Sequence, residues 1–170
     1  MKRCFRLLLL VLVGLFLLGN VVFARIDGSR YRGLPIDPHV RTVPREIQTN
    51  VFVHPEKYID RLANYLTTGT DDPFIKVKRL HDWIADNIAY DFDAFFTEIY
   101  AETDYVTTLR RRMTVCSGFA SLMQELCEKA GIRSRVITGY ARGYAYDPFS
   151  DARTRPETNH AWNAVEIENE

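Results

Sequence analysis

The chain has 170 residues, with 22 basic and 22 acidic side chains and no net formal charge. That balance removes the electrostatic reason to expect nucleic acid or an acidic polymer as partner. Hydrophobic residues at 46 % and aromatics at 12 % describe a globular chain, not a disordered one.

The N-terminus stands apart. Lys2, Arg3 and Arg6 precede the apolar run Leu7 to Leu18, and Val22-Phe23-Ala24 sits where a signal peptidase reads small or branched residues. Residues 1–24 therefore have the layout of a secretory signal. An uncleaved membrane anchor is the alternative, since a tolerant count of the apolar stretch reaches about 18 residues. The protein is expected to be exported, to the periplasm, cell envelope or exterior, and to touch a membrane only if this segment stays uncleaved. Cys4 lies before the apolar run and leaves with the signal. Residues 25–54 read as an irregular lead-in, rich in Pro, Gly and Arg without periodicity. Residues 55–170 read as one domain.

From Pro55, Ile59, Leu62, Ala63 and Leu66 fall on one helical face, closed by Gly69. Asp72 and Pro73 suit the cap and first position of a second helix. Its buried stripe is Val77, Leu80, Ile84 and Ile88, with Lys76, Lys78, Arg79 and Asp82 outside it. Two short helical stretches, "DAFFTEIY" and "DYVTTLRRRM", lie within residues 91–113. In "TVCSGFASLMQELCEKAG", Phe119, Leu122, Met123, Leu126 and Ala130 keep helical spacing, and Gly131 suits the position after the helix end. "RSRVITGYA" is a strand, residues 142–158 a long loop, and "HAWNAVEI" a second strand. Helices first and strands after give an α+β chain.

Counting back by three from Phe119 reaches Cys116, which sets a thiol at a helix N-terminus on the buried face. Unpaired N–H groups and the macrodipole favour an anion there, which raises the thiolate fraction of a cysteine. The same N–H groups can hold a developing oxyanion. Ser117 and Gly118 are expected to keep the approach uncrowded. Cys127 is no disulfide partner. Eleven residues along one helix is a rise of about 16 Å, whereas a bridge needs Cα atoms within about 7 Å. His160 opens the second strand, just after the long loop, where a scaffold tends to display functional groups. By alternation it shares a face with Trp162 and Ala164, opposite Ala161, Asn163, Val165 and Ile167. A Cys and a His from separate elements are the parts of an activated-thiol pair. Trp162 and Tyr90 are the residues expected to line a substrate cleft.

"VCSGFASLMQELCEKAGIRSRVITGYARG" followed by "NHAWNAVEI" resembles the core of the transglutaminase-like superfamily. "LHDWIADNIAYD" is similar to the helix that precedes its cysteine segment. The resemblance covers residues 70–170. It implies a papain-like fold with helices followed by antiparallel strands, Cys116 as nucleophile and His160 as general base. It also implies a protein or peptide substrate and neither metal nor organic cofactor. The implied reaction is acyl transfer from a carboxamide or peptide carbonyl, ending in transamidation, proteolysis or deamidation. The alternative is an inactive module for peptide binding or scaffolding on the cell envelope.

Two departures from the family pattern bear on the site. "RRRMTVC" replaces the small residue that precedes Val-Cys, so Arg110, Arg111 and Arg112 either reshape the substrate entrance or form a solvated helix end. The family's third catalytic residue is an Asp on the strand after the histidine strand, and the 170 residues stop before such a strand. The C-terminal part of the sheet is thus expected to be missing. Glu166 and Glu168 lie on the His160 strand itself and are poor substitutes. Among other titratable residues, Asp91 and Asp93 read as a helix stop and His81 as structural. His39 and His54 flank no cysteine, and nothing has the spacing of a zinc site.

Overall fold

The computed structural model describes residues 33–48, 51–141 and 158–167. The signal segment with Cys4, the loop at 142–157 and Glu168 lie outside the described residues. A 3-10 turn at Pro38–Thr42 and the one-turn helix α1 (Arg45–Gln48) lead into α2 (Pro55–Thr67) and α3 (Pro73–Asn87). Strand β1 (Ala89–Tyr90), α4 (Phe92–Thr97), α5 (Tyr105–Arg111) and β2 (Met113–Thr114) follow. The chain then forms α6 (Cys116–Lys129), β3 (Ser134–Gly139) and β4 (His160–Val165). This is the expected α+β order.

The long helices start and stop on local chemistry. Pro55 and Pro73 occupy first positions, where a missing N–H costs nothing. The Asp72 carboxylate accepts from the N–H groups of Phe74 and Ile75. Gly131 follows α6 at φ +70°, a conformation that L side chains resist. The apolar faces then meet in one core: Tyr58, Ile59, Leu62 and Leu66 from α2, Leu80 and Trp83 from α3, Leu109 from α5, and Leu122 and Leu126 from α6.

Two small sheets are present among the described residues. β3 and β4 pair antiparallel, from Ser134 opposite Val165 to Gly139 opposite His160. β1 and β2 pair parallel, Ala89 with Met113 and Tyr90 with Thr114. The second pair was not expected, because two-residue strands carry no measurable period.

The polar side of α3 corrects the sequence reading. Lys78, Arg79 and Asp82, expected outside the packed stripe, turn toward another segment. Asp82 is 6 % exposed, accepts from the Asp37 N–H at 2.8 Å and pairs with Lys78 one turn back. Arg79 holds the Asp37 carboxylate at 2.8 Å. The cause lies in the stretch read as an irregular lead-in: its 3-10 turn packs on α3, and Val40 and Val43 are buried in the core. Apolar spacing finds only faces that meet apolar neighbours, so a face covered through ion pairs passes as solvent-facing.

Burial raises the Asp37 carboxyl, but the Arg79 hydrogen bond, the His39 N–H and the nearby charges together hold it below its ordinary 3.8. Its contribution is therefore present at neutral pH and is lost as pH falls through that lowered value. Asp37→Asn is expected to cost about 1 kcal/mol at neutral pH in urea unfolding. The variant and the parent protein should converge in stability once pH has fallen below that lowered value. A difference that persists unchanged in acid would contradict the ion pair.

Candidate active site

Cys116 is the first residue of α6, and the capping residue before it, Val115, has an extended backbone and offers no side-chain hydrogen bond. The Val115 carbonyl accepts the N–H groups of Gly118 and Phe119. The cap gives the N–H groups of Cys116 and Ser117 no side-chain acceptor, so the helix keeps leading donors beside the thiol. Cys116 is half-buried, Cys127 is buried, and both thiols are free. Burial pushes the Cys127 thiol up to about 11, against a weaker opposing hydrogen bond with Ser134. Cys127 is thus a core residue.

Gly118 has a different task from the one expected. It is buried in the first turn of α6. A Cβ there would stand 2.7 Å from Thr108 Oγ1 and closer still to Thr114 Oγ1. Glycine is required because the first turn of α6 lies against α5 and β2.

The same small pairing places Tyr90. Its partner across β1–β2 is Thr114, two residues before Cys116. The Tyr90 ring stacks on Phe119, with centroids 6.1 Å apart and planes at 15°, and Phe119 is one turn along the helix from the thiol. Burial first, then the charge of Cys116, then Tyr100 raise the Tyr90 phenol above its ordinary value. Tyr90 therefore stands beside Cys116.

His160 is carried to the same end of α6 by the register of β4. Asn163 Nδ2 donates to the Ala120 carbonyl at 3.0 Å, one turn after Cys116. The Glu166 N–H donates to the Arg133 carbonyl at 2.9 Å, past the helix C-terminus. β4 therefore runs in the direction of α6, and three residues back from Asn163, at about 3.3 Å each, His160 lies about 10 Å nearer the Cys116 end. The alternation along β4 is as expected: Ala161 is buried, Asn163 and Val165 half-buried, while His160, Trp162 and Ala164 are exposed.

The His160 ring lies against the Trp162 indole, with centroids 5.9 Å apart. That indole passes over Gly139, where a Cβ would come within 2.8 Å of it. No thiol–imidazole hydrogen bond is formed among the described residues. Sequence reasoning missed Asn159, whose Oδ1 accepts from the Ala141 N–H at 2.8 Å and whose Nδ2 donates to its carbonyl at 3.2 Å. This clamp closes the base of the long loop immediately before His160. An Asn at a loop–strand junction was the available signal.

Arg110 and Arg111 are exposed at the end of α5 and Arg112 is half-buried, and each reaches a different neighbour. Arg110 donates to the Phe52 carbonyl at 3.2 Å. Arg111 pairs with Asp91 at 3.0 Å. Arg112 donates to the Tyr58 hydroxyl at 3.2 Å and lies 5.2 Å over the Trp83 ring. Asp91 starts a helix instead of stopping one: buried, it accepts from the Ala94 N–H at 3.0 Å as the cap of α4. Asp93 is exposed.

The remaining histidines are spread out. His39 stacks on Tyr65, His54 faces Glu56 and His81 is exposed beside Asp82. Glu166 pairs with Arg133. Among the described residues, no group of three or more His, Cys, Asp or Glu gathers where a metal could be held.

A thiol at an uncapped helix start, with a following strand that brings a histidine to that end, is the layout of the papain-like class. The chain belongs to the transglutaminase-like superfamily, whose family model matches residues 60–170. It is 26 % identical over 142 residues to kyphoscoliosis peptidase of Mus musculus, covering 84 % of this chain and 21 % of that protein. It is 29 % identical over 110 residues to kyphoscoliosis peptidase of Homo sapiens, covering 65 % of this chain and 16 % of that protein. The chain thus spans only 16–21 % of the length of the curated relatives it matches. A crystal structure of a candidate cysteine protease from Cytophaga hutchinsonii superposes with a TM-score of 0.51 at 25 % identity, covering 76 % of this chain and 41 % of that one.

Native protein treated with iodoacetamide near pH 8 should be labelled at Cys116 and spared at Cys127 until denaturant is added, as read by peptide mapping. Native labelling of Cys127 would contradict its buried place. Gly118→Ala should cost about 1–3 kcal/mol in unfolding measurements through overpacking against Thr108 and Thr114. A neutral substitution would contradict that close approach.

Proposed function

We propose that this chain supplies the nucleophile and general base of an exported cysteine acyl-transfer enzyme. The observation that carries the reading is the common end of α6 shared by Cys116 and His160, one at the helix start and the other brought there by the β4 register. The Cys116 sulfur attacks a carboxamide or peptide carbonyl, and the imidazole of His160 takes the thiol proton. The oxyanion of the tetrahedral intermediate is met by the N–H groups at the helix start. Collapse breaks the C–N bond, the leaving amine takes the proton from the imidazolium, and a thioester remains on Cys116. Attack by water ends in proteolysis or deamidation; attack by an amine ends in transamidation.

The family resemblance supports an Asp on a neighbouring strand as orienter of the second imidazole nitrogen. Trp162, stacked on His160, and Tyr90, beside Cys116, are assigned to the walls of the cleft. Protein or peptide is the proposed substrate class. Export rests on the N-terminal segment, which lies outside the described residues. Among the described residues, no helix is long and apolar enough to cross a membrane.

The test is the rate of Cys116 alkylation near pH 6 in the protein and in His160→Ala. The reading expects a rate well above that of free cysteine, falling roughly tenfold or more in the variant. An ordinary rate that ignores His160 would sink the pair in this chain and favour a peptide-binding module of the same fold.

A further inference from the structure

We propose that the exposed stretch from Phe92 to Tyr100 is the substrate-recognition surface of the Cys116 site, taking a polypeptide segment with an aromatic or large apolar side chain next to lysine or arginine. This rests on the acyl-transfer reading above.

The first ground is exposed apolar surface. α4 buries Ala94 and leaves Phe92 and Phe96 each 63 % exposed, with Ile99 and Tyr100 beyond it at 77 % and 52 %. A cluster of large apolar side chains held in water marks a contact surface far more often than a bare surface does.

The second ground is continuity with the thiol. Phe92 and Phe95 meet the Tyr90 ring at 5.1 and 6.0 Å, and Phe96 meets Phe95 at 5.3 Å. Tyr90 stacks on Phe119 and pairs through its backbone with Thr114. One aromatic surface therefore runs from α4 to the turn of α6 that begins with Cys116. A segment bound there holds an adjacent carbonyl near the sulfur, which is how remote contacts lower a barrier.

The third ground is charge. From Ile88 to Leu109 the chain has no Lys, Arg or His, and carries Asp91, Asp93, Glu98, Glu102 and Asp104. Asp91 is taken by Arg111, and Asp104 caps α5 by accepting from Val106 and Thr107. Asp93, Glu98 and Glu102 are exposed, and none of them forms an ion pair among the described residues. Aromatic faces rimmed by uncompensated carboxylates attract a cationic side chain with apolar neighbours and repel an acidic one. The surface adds no bond-making step: the C–N bond cleaved and the protons moved are those of the acyl transfer.

Two alkylating peptides test this on the full chain, chloroacetyl-Phe-Lys-amide and chloroacetyl-Gly-Glu-amide, with chloroacetamide as the small reference. Labelling of Cys116 is read by mass. The Phe-Lys reagent should react roughly tenfold faster than the Gly-Glu reagent, a discrimination ordinary for one well-placed side chain. That ratio should fall toward one in Phe92→Ala/Phe96→Ala, and toward one with added salt or in the surface variant Asp93→Asn/Glu98→Gln. Thermal unfolding checks that each variant is folded.

Equal peptide rates, or a preference that survives both variants, would overturn the recognition surface; chloroacetamide labelling that still depends on His160 would leave the acyl-transfer reading standing. Chloroacetamide labelling indifferent to His160 would overturn that reading and the surface with it. A dimer in sedimentation that Phe92→Ala/Phe96→Ala disperses would give the face to a second copy of this chain and overturn the proposal.

Discussion

The close approach of the first turn of α6 to β2 is the constraint from which the site follows. Gly118 has room for no Cβ against Thr108 and Thr114, so the backbone of the cysteine turn is seated on the strand just before it. That seating fixes where Cys116 emerges. It also fixes Tyr90, because Tyr90 pairs with the same Thr114. One glycine and one threonine thus set the relation between thiol and aromatic surface, and no long-range charge is needed for it. The buried Asp91 reinforces the arrangement, since its N–H donates to the Thr114 carbonyl at 2.9 Å while its side chain caps α4 and holds Arg111.

A second contact sets the histidine. The amide of Asn163 reaches the Ala120 carbonyl, a bond worth about 1 kcal/mol net, but its larger effect is on register. A one-residue slip of β4 would exchange its two faces and bury His160 where Ala161 now packs. The Asn159 clamp on Ala141 secures the other end of the same register. The Trp162 indole covers Gly139, His160's cross-strand partner, and leaves the imidazole resting on an apolar plate. The strand therefore presents His160 from a defined platform even though its ring is exposed.

Legibility in the sequence followed how far each interaction reaches along the chain. α2, α3 and α6 were readable because their apolar spacing and their Pro, Asp and Gly signals are local, and local physics decides them. The α+β order and the unbonded state of Cys116 and Cys127 could be reasoned from spacing, and the antiparallel strands from the family resemblance. Interactions between distant segments left no such mark. Asp82 looked solvent-facing because its partners, Asp37 and the segment around it, lie far away in sequence. The Arg110–Arg112 run looked like one feature, yet each guanidinium goes to a different neighbour. Gly118 was credited to substrate access because its packing partners, Thr108 and Thr114, cannot be seen from the helix alone. Tyr90 was expected to line the cleft, but the parallel pair that sets it beside the thiol was invisible at two residues per strand.

The central claim is that Cys116 and His160 act as a pair across the start of α6. The most direct measurement is cross-linking with 1,3-dibromoacetone, a short reagent whose two ends alkylate in turn, followed by peptide mapping. The account predicts a single bridged species joining the Cys116 sulfur to the His160 ring, absent after prior alkylation of Cys116. Cys116 carrying the reagent by one end, with His160 unmodified and the second end lost to water, would contradict it.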